Sequence, residues 1–277
     1  MSRLYTFLFV FALSATVWAQ DDDGYLLRYK FEKDSQIRWN VVHRTHNETT
    51  MKETTIVTDT YSESEKVWTV KQVKPDGGAV IENSVAWMNL WQNVTGQNRV
   101  NYDSRTDKTP SPCYANMPKM LNTPLADITL DARGNVVERK DFFPQTELQL
   151  LNPVQLLVPF PEHKVLPGDV WKIDKIVYVP KPGGTVFKVQ TVQKYVLESV
   201  EDDLATITYY TQVLTPIHDP KTLAQLVQCR AKGKMVFNIK TGKSEEHVLT
   251  LDHTVPHFSG DASIVKHKNR STETLLP

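Results

Sequence analysis

Apolar and polar residues alternate along most of this chain, at the period of two that sets one side of a β-strand against a core. Tyr25, Leu27, Tyr29 and Phe31 share one parity. After the turn-forming Glu32-Lys33-Asp34-Ser35 so do Ile37, Trp39 and Val41, which predicts a hairpin. Residues 54–61 are polar and β-branched. Residues 66–74 and 79–91 flank Pro75-Asp76-Gly77-Gly78, a strong turn signal, and Ile81, Val85, Trp87 and Trp91 share one parity. Residues 128–138 form a further hairpin about Asp131–Asn135. In the second half the strands run over 171–179, 186–200 and 204–214, then 235–239 and 247–255 about Lys240-Thr241-Gly242. Turns fall at Pro180–Gly184 and Glu201-Asp202-Asp203. Two stretches change period. Residues 142–157 carry leucines at helical spacing up to Pro153, and Asp219-Pro220 opens a short helix running to Gln228. Residues 92–120, with Pro110, Pro112 and Pro118, are irregular and expected to pack across one mouth of a sheet.

The pattern predicts a mainly β protein: two antiparallel curved-sheet or half-barrel-like halves with one or two short helices. The expected boundaries are a leader at 1–19, an N-terminal β-rich half at 20–140, a helix-containing connector at 141–165 and a C-terminal β-rich half at 166–277. Lys33–Trp39 and Pro167–Trp171 are loosely alike, which either an ancient duplication of the two halves or, more readily, generic β patterning accounts for.

The leader has a basic start at Arg3, an apolar run over residues 4–17 and a small-residue cleavage site at Val17-Trp18-Ala19. That order marks a secretory signal peptide, too short for a comfortable membrane span. The expected location is therefore exported, periplasmic or secreted, with no transmembrane span after cleavage. Losing Arg3 leaves 31 Lys and Arg against 32 Asp and Glu, a net charge of −1. So neutral a chain argues against nucleic acid as a partner. Cys113 and Cys229 are either one disulfide or two unpaired thiols.

Turn and strand-start motifs carry a resemblance. Residues 124–136 read Pro-Leu-x-x-x-Thr-Leu-Asp-x-x-Gly-x-Val; Val158-Pro159-Phe160-Pro161 precedes Val165-Leu166-Pro167-Gly168-Asp169-Val170-Trp171; residues 233–242 read Gly-Lys-Met-Val-Phe-Asn-Ile-Lys-Thr-Gly. Together they resemble an uncharacterised family of exported bacterial β-rich proteins. The resemblance implies an envelope or secreted location and transfers no catalytic residues.

Candidate chemistry is sparse. His43 and His46 are three apart and His253 and His257 four apart, but four residues along a strand span about 13 Å, too far for a shared metal. Asp21-Asp22-Asp23 lacks the alternating ligands and later bidentate acid of a calcium loop. No Gly-x-Ser-x-Gly or His-Glu-x-x-His occurs, and Gly242-Lys243-Ser244 has Phe237 where a phosphate loop needs glycine. No cofactor is expected. Asn47, Asn93 and Asn269 open glycosylation sequons, which a eukaryotic secretory setting would place on surface loops. Residues 266–270, Lys-His-Lys-Asn-Arg, read as a solvated segment.

Five tryptophans, Trp39, Trp68, Trp87, Trp91 and Trp171, are the candidate lining of an apolar pocket on the inner face of a curved sheet. The leading functional reading is a non-catalytic exported binding protein, its partner an apolar small molecule. The alternatives are a structural or interaction module with an envelope protein as partner, and a hydrolase with an unrecognised site.

Overall fold

A computed structural model describes residues 24–153, 155–181 and 185–277. The leader at 1–19, the acidic run Asp21-Asp22-Asp23, Val154 and the predicted turn residues Pro182-Gly183-Gly184 lie outside the described residues.

The alternating segments form twelve strands: β1 Gln36–Met51, β2 Thr54–Val73, β3 Ala79–Val94, β4 Val100–Asp103, β5 Ala126–Leu130, β6 Val136–Asp141, β7 Val170–Pro180, β8 Val186–Glu201, β9 Leu204–Val213, β10 Lys232–Asn238, β11 Lys243–Pro256 and β12 Ser263–Leu275. All pair antiparallel in one sheet of order β6-β5-β3-β2-β1-β12-β11-β10-β9-β8-β7, with β4 beside β3. The sheet is curved and does not close into a barrel. The two β-rich halves are therefore continuous: first strand and last lie side by side at the middle, with Trp39 opposite Leu275 and Met51 opposite Ser263.

Tight turns set the hairpins. Asp202 and Asp203 both hold positive φ, 48° and 67°, joining β8 to β9 in the two-residue turn that matches strand twist. The predicted strands at 54–61 and 66–74 are one strand, β2. The helical stretch shrinks to α1, Glu147–Leu151, where Thr146 and Gln149 make a reciprocal capping box. Asp219 caps α2, Pro220–Leu226, through its contacts with the Lys221 and Thr222 amides, and a 3₁₀ turn, Val227–Arg230, follows.

The expected hairpin between residues 25–31 and β1 does not form. Residues 25–31 lie extended, and their backbone donors go to separate places: Tyr25 N–H to Val165, Tyr29 N–H to Ala132 and Lys30 N–H to Gly242. The same alternation that suits a strand here fixes a covering strap, whose Leu27 and Tyr29 insert into the core. Residues 156–165 run beside it. Strap and connector bury one side of the sheet, the inner face. One core cluster gathers Tyr29, Phe160, Trp171, Tyr195, Ile207 and Phe237; the other gathers Ile37, Trp39, Trp68, Ile81 and Ile128. Phe31 and Leu157 pack against both.

One irregularity redirects side chains. Glu65 faces Trp87 whereas Lys66 faces Val85, so Ala86 is extra at that step. Such a bulge exchanges the faces of everything beyond it. Ile81 and Val85 therefore point to the inner face, Trp87 and Trp91 to the outer one, correcting the single parity read from sequence. The irregular 104–121 stretch packs over β3 and β4: Tyr114 lies 6.2 Å from Tyr102, and Leu121 bridges to Val85.

Candidate functional site

The inner face is built around a run of rings crossing the C-terminal strands. Trp171, Tyr195 and Tyr209 lie directly opposite one another on β7, β8 and β9. Trp171 stacks on Tyr195 at 5.4 Å, and Tyr195 lies 5.0 Å from Tyr209. Opposite Tyr209 on β10 stands Gly233. A Cβ there would come within 2.2 Å of the Tyr209 ring, so the missing side chain is what lets the ring lie across β10 toward β11. There the Tyr209 hydroxyl is 2.8 Å from His247 Nε2. The connector holds the other end, with Trp171 Nε1 donating to the Pro159 carbonyl at 2.8 Å.

Beyond His247 the run becomes ionic. Glu273 on β12 faces His247 and accepts from Lys66 Nζ at 2.9 Å. The same ammonium sits over Trp39 at 4.7 Å and Trp68 at 5.2 Å, and these two indoles meet edge to face at 4.9 Å. Desolvation pulls the His247 imidazole below its ordinary range against the nearby Glu273 charge, so it is neutral near pH 7. Burial, the largest influence, would raise the Glu273 carboxyl, but Lys66 together with His247 and His43 outweighs it and the net shift is down. Desolvation raises the Tyr195 and Tyr209 phenols, which stay protonated.

Leu156, Leu157 and Val158 cover this group together with Trp39, Met235 and Ser244, leaving about 10 Å³ of free space. That is room for about one water. A substrate does not fit there, and the group acts as a fixed polar floor.

The open part of the face lies one row further along the strands. In the row Tyr102, Leu90, Ser62, His43, Ser271, Leu249, Gly233, Tyr209, both ends are buried, with Tyr102 and Tyr209 at 2% and 6% exposure, whereas His43 at the middle is exposed. The next row presents Thr60, Thr45, Asn269 and Leu251. Asn269 donates to Thr45 Oγ1 at 2.8 Å. Tyr114 and its loop border this opening over β3, and Val227 borders it over β11 through Leu251 and Val255. This part of the inner face presents His43 with hydroxyl and amide groups along its centre and leucines to either side.

The structure does not bring the five tryptophans together. Trp39 and Trp68 are core partners, Trp171 belongs to the ring run several strands away, and Trp87 and Trp91 are on the outer face beneath Arg105 and Arg99. Cys113 and Cys229 are both free, the first exposed on the 104–121 stretch, the second half-buried. His43 and His46 point to opposite faces, and His46 pairs with Asp59 at 2.7 Å. Among the described residues no group of three His, Cys, Asp or Glu is placed to hold a metal. The sequon residues Asn47, Asn93 and Asn269 lie within β1, β3 and β12, not in loops.

Sequence reasoning missed Lys66, Glu273, His247 and Tyr209. It also missed Lys175, half-buried on the inner face of β7, whose amine contacts Gln155 and which burial brings down to about 8. Their signal was a charged or polar residue at the core parity of a strand, as in Lys66 before Trp68 and Val70.

No family model and no curated protein matches this chain. Among solved structures it is similar to one reported as "Lipid-protein interactions in lipovitellin", with a TM-score of 0.51 and 11% identity. The match covers 90% of this chain and 26% of that one, so the chain spans about a quarter of the protein it resembles. The likeness is one of fold. A Pseudomonas aeruginosa OpdQ crystal structure aligns over 88% of this chain at 7% identity, but its TM-score of 0.21 does not establish a shared fold. Among the described residues no helix is long and apolar enough to cross a membrane.

Proposed function

We propose that this is a non-catalytic binding protein, exported to the periplasm or beyond, which holds a lipophilic molecule with a polar end on the open part of its inner face. The observation that carries the reading is the exposure of His43 in the middle of a row whose two ends are buried. Leu90 and Leu249 offer apolar contact at the sides, while His43, Thr45 and Ser62 offer hydrogen bonds to a head group. The lipovitellin structure, whose report concerns lipid–protein interactions, supports the same use of this fold by analogy. Export rests on the leader at 1–19 and on the resemblance to exported bacterial β-rich proteins.

The test is native mass spectrometry of mature protein from its own export route, followed by solvent extraction. An apolar molecule in near-stoichiometric amount is expected, and His43→Trp, which fills the open part of the face, should release it without changing the fold. Protein that arrives empty sinks the reading. A second reading, an interaction module, draws on β6, an edge strand exposed along nearly its whole length with Val137 65% exposed. Concentration-dependent self-association or capture of an envelope protein through that edge would favour it.

A further inference from the structure

The outer face carries one register row unlike its neighbours. Lys172 on β7 lies directly opposite Lys194 on β8. Across β9 the row reaches Lys232 on β10, and across β11 it reaches Arg270 on β12, directly opposite Arg44 on β1. No acid occupies this row between Lys172 and Arg44. At about 4.8 Å per strand the five cations extend over roughly 29 Å.

Like charges directly opposite in a sheet repel, and this row contains two such pairs. The next two rows on one side of it show the ordinary solution. Lys268 faces Asp252 at 3.5 Å, His46 faces Asp59 at 2.7 Å, and Lys266 faces Glu48 at 2.8 Å. The acids flanking the cationic row are thus mostly engaged: Asp252 and Asp59 by those partners, Glu63 by the Tyr61 hydroxyl and Asn40. Asp174, exposed on edge strand β7, is the exception. On that side the sheet sets each cation against an acid, whereas in this row five cations have no acid opposite them, a break in the local rule of the kind that marks a site.

We propose that this row binds a linear anionic polysaccharide, its sulfates or carboxylates spaced along the line from Lys172 to Arg44. The five cations lie in a single register row across the strands, so one extended chain laid along it can meet all of them in turn. The end of the row argues against single-stranded nucleic acid, which needs open ring faces for its bases. Trp91 has Arg99 over it at 4.1 Å and stacks with Tyr61 at 5.8 Å, and Tyr61 has Arg44 over it at 5.6 Å. Those rings are already engaged.

The probe is fluorescein-labelled heparin, titrated with the mature protein at several salt concentrations. Binding that weakens steeply with salt is expected, and Arg44→Gln/Arg270→Gln and Lys172→Gln/Lys194→Gln should each weaken it at least about tenfold. The control Lys266→Gln/Lys268→Gln removes as much charge from the same face but outside the row, and should change affinity less than about twofold. Removing the repulsion should leave the row variants folded and at least as stable as the parent, read by thermal unfolding. Absence of heparin binding, or equal weakening by the control, overturns the proposal. Tighter binding to phosphatidylglycerol vesicles or to an oligothymidine than to heparin overturns it in favour of that partner.

Discussion

At the scale of single residues, Gly233 and Lys175 make opposite statements about how well this face is filled. Gly233 is needed because a Cβ would collide with the Tyr209 ring. Gly233→Ala should cost about 1–3 kcal/mol in urea denaturation, since the ring must leave its position against His247. The same variant should move the His247 pKa back up toward the ordinary imidazole range in an NMR titration. An unshifted His247 would mean that the glycine is incidental. Lys175 is a half-buried ammonium in contact with Gln155, and among the described residues no carboxylate pairs with it. Lys175→Met should therefore raise stability at pH 7 by about 1–2 kcal/mol, after allowance for its partial contact with solvent. A loss of stability would show that the Gln155 contact outweighs desolvation. Neither residue was legible in the sequence. Glycine in a strand signals only that something approaches closely, and which lysine is buried depends on register, which alternation does not specify across a bulge. The Ala86 bulge alone moved Trp87 and Trp91 to the other face.

At the scale of elements, the strands and their turns were legible because each is decided by a few adjacent residues: Pro75–Gly78, Glu201–Asp203 and Asp131–Asn135 all turn where local chemistry demands it. The strap at residues 25–31 was not, because strand and strap share the same alternation and differ only in where their backbone donors go. Nor does any local signal announce that β1 and β12, at opposite ends of the chain, are neighbours. That pairing has a direct consequence. Deleting residues 263–277 removes a central strand, leaves β1 and β11 with unpaired edges and uncovers Glu273's partner Lys66. Such a protein should lose its cooperative thermal transition and aggregate, whereas deleting edge strand β6 should shift the midpoint and keep the transition cooperative. A truncated chain that still melts cooperatively would show that the halves fold independently. Because the closing contacts are so distant in sequence, refolding should also be slow, on the order of milliseconds to seconds or longer.

At the scale of the whole molecule, the titratable groups of the inner face combine into one pH dependence whose sign can be worked out. Burial lowers the His247, His253 and His267 imidazoles, so the unfolded chain binds more protons than the folded one just below an unfolded pKa of about 6.5. Their contribution is intact above that pH and is lost as pH falls. Glu273, lowered on balance by Lys66 with His247 and His43, adds a loss of the same sign once pH drops through the range below about 4.3. Lys175 works in a separate window: with a folded value of about 8 against about 10.4 unfolded, its cost is greatest below 8 and is relieved as pH rises. Tyr29, Tyr195 and Tyr209 and the Cys229 thiol, all raised by desolvation, reverse the sign, because their contribution is lost as pH climbs above their unfolded values of about 10 for tyrosine and about 8.5 for cysteine. These terms together place the stability maximum on the alkaline side, near pH 9, rather than in the common range of about 5 to 8. Urea midpoints measured from pH 4 to pH 10.5 test this. Lys175→Met should flatten the rise above pH 8 and leave the acid limb unchanged. His247→Gln should flatten part of the fall between pH 6.5 and 5 and leave the alkaline limb unchanged. A parent curve that peaks near neutrality, or variants that shift both limbs together, would show that the inner face does not govern how this protein responds to pH.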